Sequence, residues 1–546
     1  MKKWKKITLV AGTTSVAALA ILGFSAHADA ATKTPTIEIP ADITTLDQSV
    51  VTDQYSNTVI GNTQEGLVRV DKSGKAALAL AKSIKVSSDG LTYTIKLRDG
   101  LKWSNGDPLT AKDFVYSWQR GVDPKTASEY AYLMGCLKNA NDINSGKITD
   151  LSQLGVKADS NTQLTITLEQ PTPYFKFLLA QAIFLPENKS VVEKYGSEYG
   201  TSAAKMVYDG PFMFSSKKQW TGSEKSFSVV KNKKYYDAKN VKSPGVNFQV
   251  VSNGSTGASL FKSGKLDLTF LNTPTLVKAN KSNKAFTTFV QARTDYLEYQ
   301  QNGKDKNLTN QKFREALNLA TDRQGIINAA TPGSKPATSI SPAGLAKAPN
   351  GEDFATFAKQ GYKFDAKAAQ AAFKQALSEL GETKASVEIE YANDSAVATA
   401  TATFLQNSWQ KNLPGLTVTL KQVPFKQRLQ DQQNGNFDVI IAGWGGDYAE
   451  PSTFLQMFLT GGSYNSGKFS STEYDAAYKA ASTVPDVLNN TKLYNDYKTA
   501  EAALFKGSYV NPIDYQATPA LVSSNLKGLQ FHSTGLNYDL KGVYLK

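Results

Sequence analysis

Residues 91–97 (LTYTIKL) alternate apolar and polar without a break, the period of a strand with one buried face. Asp99-Gly100 then turns the chain. Leu101-Lys102-Trp103 begins a second extended piece before the dense turn chemistry of Ser104-Asn105-Gly106-Asp107-Pro108. Thr110, followed three residues on by Asp113, reads as a helix start, with Phe114, Val115 and Trp118 supplying an apolar face. Further strands are predicted at 164–168, 387–391, 416–420 and 437–442. Over 365–380, Ala369, Phe373, Ala376, Leu377 and Leu380 fall on one helix face, and Gly381 stands at the expected stop. Strands and helices are interspersed throughout, which predicts the α/β class. No tandem repeat is visible, so a solenoid or propeller is not expected. Loops rich in Gly, Ser, Asn and Lys, notably 201–226 and 331–352, read equally well as surface insertions or hinges.

The N-terminus follows a different pattern. Lys2, Lys3, Lys5 and Lys6 precede a moderately apolar run from Ile7 to Phe24, and then come Ala26-His27-Ala28 and Ala28-Asp29-Ala30. That order predicts a secretory signal peptide over 1–30 and an exported protein. Gly12, Thr13, Thr14 and Ser15 interrupt the run, so a stable spanning helix fits poorly. No later stretch is apolar enough to span a bilayer. Cleavage leaves about 516 residues, too many for one core, and predicts two or three lobes. The leader holds four Lys and one Asp, so the net charge falls from +13 to +10. The excess is spread among acidic residues with no basic helix or Arg-rich arm, which argues against nucleic acid and suits an anionic wall or membrane surface.

Catalytic chemistry finds few candidates. The single Cys136 cannot form an intramolecular disulfide and reads as packing within Leu133-Met134-Gly135-Cys136-Leu137. Of two histidines, His27 leaves with the leader and His532 alone remains, so a histidine metal site or triad is not expected. Residues 462–469 (GSYNSGKF) have the Gly and Lys spacing of a phosphate loop, but Phe469 stands where a Ser or Thr must hold magnesium. No enzyme, cofactor or metal is expected.

The densest constellation is 437–451 (FDVIIAGWGGDYAEP), where an apolar strand enters a glycine-rich turn holding Trp444, Asp447 and Tyr448. A helix-like apolar segment, 454–459, follows. Gly443, Gly445 and Gly446 let a backbone approach a ligand, Trp444 can wall an apolar pocket, and Asp447 can neutralise a cation. A packed Trp and a capping Asp would explain the same residues, and the pattern alone leaves both readings open.

Longer motifs add a resemblance. Residues 88–98 (SDGLTYTIKLR), 102–118 (KWSNGDPLTAKDFVYSW) and 123–132 (DPKTASEYAY) resemble the OppA-like oligopeptide-binding proteins, the family 5 solute-binding components of ABC importers. The likeness continues at 313–317 (FREAL), at Asp322-Arg323 and again at 443–451. It implies a periplasmic-binding-protein-like type II α/β fold, two lobes closing by a hinge, with an additional inserted domain. The implied division is lobe I at 31–61, 193–291 and 516–546, an inserted lobe II at 62–192, and a continuous lobe III at 292–515. The implied function is capture of oligopeptides between lobes, paired through their backbone as an added strand, for delivery to the permease subunits of an ABC importer. A monomer is expected. Asp447 matches the carboxylate that binds the peptide α-ammonium, and Trp444 matches a pocket wall with Gly443 and Gly445 beside it. Tyr130 matches a pocket tyrosine of lobe II, and Phe425 falls where relatives often place a Trp.

The chain also departs from that pattern. Ile441 stands where tripeptide-favouring enteric relatives carry an Arg for the ligand carboxylate, and no His lies near 396–400. Longer or carboxylate-indifferent peptides are the expectation. Leu22-Gly23-Phe24 is followed by Ser25, so no thiol is available for a lipid anchor, and an extracellular or cell-surface location without one is expected. Retention on an anionic cell wall by basic charge is one expectation, and periplasmic confinement is another. A non-lipidated adhesion or peptide-signalling protein on the same fold is the alternative.

Overall fold

The computed structural model describes residues 33–546 apart from 216–218, 303–304, 394 and 463. The expected signal peptide, with His27, lies outside the described residues. Among those residues, no helix is long and apolar enough to cross a membrane.

The segments that alternate in sequence become strands of two sheets. The smaller is antiparallel, in the order Ala81–Val86, Thr92–Leu97, Gln163–Thr167, Val156–Ser160. Tyr93, Ile95, Leu97, Leu164 and Ile166 face one core, as the period of two requires. The helix Ala111–Val122 covers it with Phe114 and Trp118. Its start is the expected capping box: the Thr110 amide donates to Asp113 Oδ2 at 2.7 Å. Trp118 Nε1 donates to the Phe184 carbonyl at 2.9 Å, satisfying a polar group inside that core. Cys136 packs against the same core, where burial pushes its thiol up to about 12.

The larger sheet draws on both ends of the chain. Its order is Leu416–Val423, Ala385–Ala392, Val439–Gly445, Phe286–Tyr299, Val510–Val522, Leu268–Phe270, Thr36–Ile39, Gly245–Val250, Ser226–Lys231, Phe212–Phe214. A two-residue strand, Lys335–Pro336, pairs with Val510–Val522 from within the stretch that reads as a loop at 331–352. Phe212–Phe214 likewise lies inside the loop predicted at 201–226. Both are too short to carry a periodic signal.

Two long antiparallel strands, Phe286–Tyr299 and Val510–Val522, run through the centre and join two separately cored halves. On one side, Ile37, Phe248, Leu268, Ala520 and Leu540 share a core. On the other, alternation sorts each strand onto two faces. Leu297, Val387, Ile389 and Val439 meet the helices Gln311–Ala320, Ala366–Leu380 and Ala396–Asn412. Tyr296, Ile440 and Ala442 meet Thr472–Ala481 and Asn490–Lys506. A sheet covered on both faces is the α/β arrangement the interspersed pattern predicts. The helix predicted over 365–380 begins at its Asp365 cap and stops at Gly381 with φ 70°.

The central ladder breaks where the halves meet. Val290 pairs with Ala517 and Thr294 with Tyr515, so Gln291, Ala292 and Arg293 stand opposite Gln516 alone. A bulge of this kind bends the strand and interrupts the pairing locally.

Candidate functional site

Val439–Gly445 ends beside that bulge. Along one edge it pairs with Phe286–Tyr299 over its whole length, from Tyr299 opposite Val439 to Arg293 opposite Gly445. Along the other edge, its parallel neighbour Ala385–Ala392 reaches only Val439 and Ile440. From Ile441 to Gly445 that edge has no strand neighbour among the described residues. Unpaired strand edges accept an extended chain.

Beyond Gly445 the chain turns and presents Asp447. The Tyr132 hydroxyl donates to Asp447 Oδ1 at 3.1 Å, Gln181 Nε2 donates to the Asp447 carbonyl at 2.6 Å, and the Asp447 amide donates to Thr453 Oγ1 at 3.1 Å. Oδ2 is buried without a hydrogen-bond partner. Burial pushes the carboxyl up to about 6, with the Tyr132 and Thr453 hydrogen bonds pulling the other way. A desolvated carboxylate with one oxygen unmatched is poised for a cationic donor. Tyr448, the next residue, is buried in the core of the four-stranded sheet and stacks on Tyr174 at 3.9 Å and 4°.

A cavity of about 500 Å³ opens between these elements, lined among others by Tyr130, Gln181, Arg293, Gly445, Asp447 and Asn537. It has the size and mixed lining of a small-ligand site. Three of the six residues singled out in the sequence therefore meet here: Asp447, Gly445 and Tyr130. Gly445 is open, with nothing within 4 Å of where a Cβ would stand. Tyr130 stacks on Tyr132 at 5.8 Å.

The other three lie outside the cavity wall. A Cβ on Gly443 would stand 2.1 Å from Asp295 Oδ1 and 2.3 Å from an Arg293 nitrogen, so the room left on that side is filled by the protein's own ion pair. Gly446 does line the cavity, although a Cβ added there would meet Phe454, Leu345 and Thr453 at 3.0–3.3 Å. Trp444 packs half-buried against the core of the helices Thr472–Ala481 and Asn490–Lys506, edge-on to Tyr464 at 5.3 Å, with its Nε1 buried and unpartnered. Phe425 is exposed at the start of the helix Phe425–Asn434, under the Arg428 guanidinium at 5.4 Å.

Tyr132, Tyr174, Gln181 and Arg293 join the site without having been singled out. Tyr132 had a signal, since it lies two residues after Tyr130 in the same motif. The remaining three arrive from distant segments, and no local pattern marks them.

The phosphate-loop lookalike is occupied by the protein itself: the Gly467 amide donates to Glu298 Oε1 at 2.7 Å. His532 is buried, and burial holds its imidazole below the ordinary range. No cluster of three or more metal-ligating side chains occurs among the described residues.

Comparison with known proteins agrees with this architecture. The chain is 60% identical over 515 residues to the dipeptide-binding protein of Lactococcus lactis subsp. cremoris, covering 93% of this chain and 94% of the relative. It is 31% identical to the oligopeptide-binding protein OppA of Bacillus subtilis across 100% of both. The solved structure of Listeria monocytogenes OppA bound to peptide superposes with a TM-score of 0.73 at 38% identity, covering 94% of this chain and 99% of that one. The profile described as bacterial extracellular solute-binding proteins, family 5 Middle, matches residues 75–466, and the chain belongs to that family.

Proposed function

We propose that this protein captures peptides outside the cytoplasm in the cavity beside Asp447 and delivers them to an ABC importer, acting by binding without chemistry. The observation that carries the reading is the pairing of a strand edge with no strand neighbour from Ile441 to Gly445, where only the Ile441 carbonyl is held by Arg428, with a buried carboxylate whose Oδ2 lacks a partner. The edge suits a peptide backbone, and the carboxylate suits its terminal ammonium. The names of the relatives, dipeptide- and oligopeptide-binding proteins, support the same solute class.

The separate cores support a division into lobe I (31–61, 193–291, 516–546), lobe II (62–192) and lobe III (292–515), with the Gln291–Arg293 bulge as hinge. Trp444, Gly443 and Phe425 would then flank the bound chain on the lobe III side. Export without a lipid anchor, with retention at the cell surface by basic charge, is part of the same proposal, and release of the protein from cells by high salt tests it.

Mass spectrometry of whatever the purified protein releases on denaturation, followed by calorimetry with synthetic peptides, tests the main reading. Peptides in the released fraction and saturable binding are expected. A non-peptide solute, with no heat from any peptide, overturns it.

A further inference from the structure

Arg293 stands in the bulge and lines the same cavity as Asp447. Its Nε and Nη2 both meet Asp295 Oδ1, at 3.0 and 2.9 Å, and Asp295 Oδ2 is taken by Gln516 Nε2 at 3.0 Å. Asp295 therefore fixes the plane of the guanidinium through one side. The end-on pair, Nη1 with the second Nη2 proton, makes no further hydrogen bond among the described residues, and the side chain is 41% exposed. That fork matches a carboxylate in two parallel bonds. Ile441 offers no charge at its own position on the strand, and the guanidinium that crosses Gly443 supplies one two residues further along.

We propose that Arg293 binds the ligand's α-carboxylate while Asp447 binds its α-ammonium, so that the cavity selects short peptides with both ends free. The assignment rests on the peptide-binding reading and narrows its ligand class, replacing the expectation of indifference to the carboxyl end. Spacing sets the length. Asp447 stands four positions beyond Gly443, at most about 13 Å of extended chain. An extended ligand fills about 3.3–3.6 Å per residue. Two to about four residues fit between the anchors, in keeping with a cavity of about 500 Å³.

A rival cation exists nearby. Arg428 Nη1 donates to the Ile441 carbonyl at 3.1 Å, and its Nε is buried without a partner. Arg428 does not line the cavity, and it is already engaged by the strand edge, so it serves as the control.

The test is calorimetry on the full mature chain with alanine peptides of two to eight residues, each as free acid and C-terminal amide. Wild type should prefer acids of two to four residues by about tenfold or more over their amides. Arg293→Gln should bring the acid down to the amide's affinity and leave the amide unchanged, while Arg293→Lys keeps part of the preference. The Arg428→Gln variant should keep all of it. Equal binding of acid and amide by wild type overturns the assignment without any variant. So does a preference that survives in R293Q or disappears only in R428Q. If no peptide of any length binds wild type, the peptide reading itself fails, and that result is distinct from the others.

Discussion

Asp447→Asn isolates the charge at the amino end of the site. Asparagine keeps the oxygen that accepts the Tyr132 hydroxyl and replaces only the unpartnered Oδ2 with an amide. Burial raises the carboxyl from 3.8 to about 6, so holding it ionised at neutral pH costs on the order of 3 kcal/mol. A ligand ammonium offsets that cost and adds a charged hydrogen bond of about 1.5–3 kcal/mol. Asn should therefore weaken peptides with free amino ends by roughly 10–150-fold and leave N-acetylated peptides nearly unchanged. The pH dependence follows with a definite sign. Below about pH 6 the free carboxyl carries a proton that must leave before the ammonium binds, so wild-type affinity should fall by about tenfold per pH unit. The Asn variant should be flat over the same range. Calorimetry at pH 7.5 and 5 with paired free and acetylated peptides reads both effects. Equal weakening of both peptides, or an unchanged pH slope in the variant, would refute the reasoning and leave Asp447 a structural loop residue.

Tyr448→Ala removes a ring that a loop of one half buries in the core of the four-stranded sheet, stacked on Tyr174. Truncating a buried aromatic costs about 3–5 kcal/mol, so affinity should drop and small-angle scattering should show a more open molecule. An unchanged shape and affinity would rule out a closing role. Glu501 accepts the Ile340 and Ser341 amides at 2.9 Å each, so Glu501→Ala strands two buried donors. Urea unfolding should lose about 2–5 kcal/mol, and a loss under about 1 kcal/mol would contradict the accounting. Burial pushes the Glu501 carboxyl, and Glu38 with it, from 4.5 up to about 7. The folded state then binds more protons than the unfolded chain between those values. The contribution of these groups is fully present below about 4.5 and is lost as pH rises through about 7. Calorimetric Tm should fall from pH 5 to pH 8, and Glu501→Gln should narrow the gap; an undiminished gap would exclude Glu501.

The strands that carry the fold were legible where one face is buried and the other wet, as at Thr92–Leu97 and Ala385–Ala392, because alternation survives in the sequence. The order of the large sheet was not legible. Its central pair joins strands over two hundred residues apart, and no local pattern encodes that pairing. The site divides in the same way. Asp447, Gly445 and Tyr130 sit within motifs long enough to be matched, and they meet at one cavity. In sequence Gly443 offers room for a ligand, yet the Arg293–Asp295 pair fills that room from the adjacent strand. Sequence position shows that a side chain is missing, and only the neighbouring strand shows what takes its place.

The turn that carries Asp447 is held at the junction beside the bulge. Gln291–Arg293 falls out of the ladder opposite Gln516, and Ala292, within the bulge, makes its backbone bonds to segments other than that strand. The Gly446 amide donates to the Ala292 carbonyl at 2.6 Å, and the Ala292 amide donates to the Ser533 carbonyl at 3.2 Å. The turn that presents Asp447 is thus tied through one residue to the C-terminal return of the other half. On the proposed division, bending at the bulge and movement of Asp447 are one event, because the same backbone groups define both. On the proposed binding mode, a ligand held by Asp447 and Arg293 pulls on the residues next to Gly446 and Ala292, and so couples occupancy of the cavity to bending at the bulge.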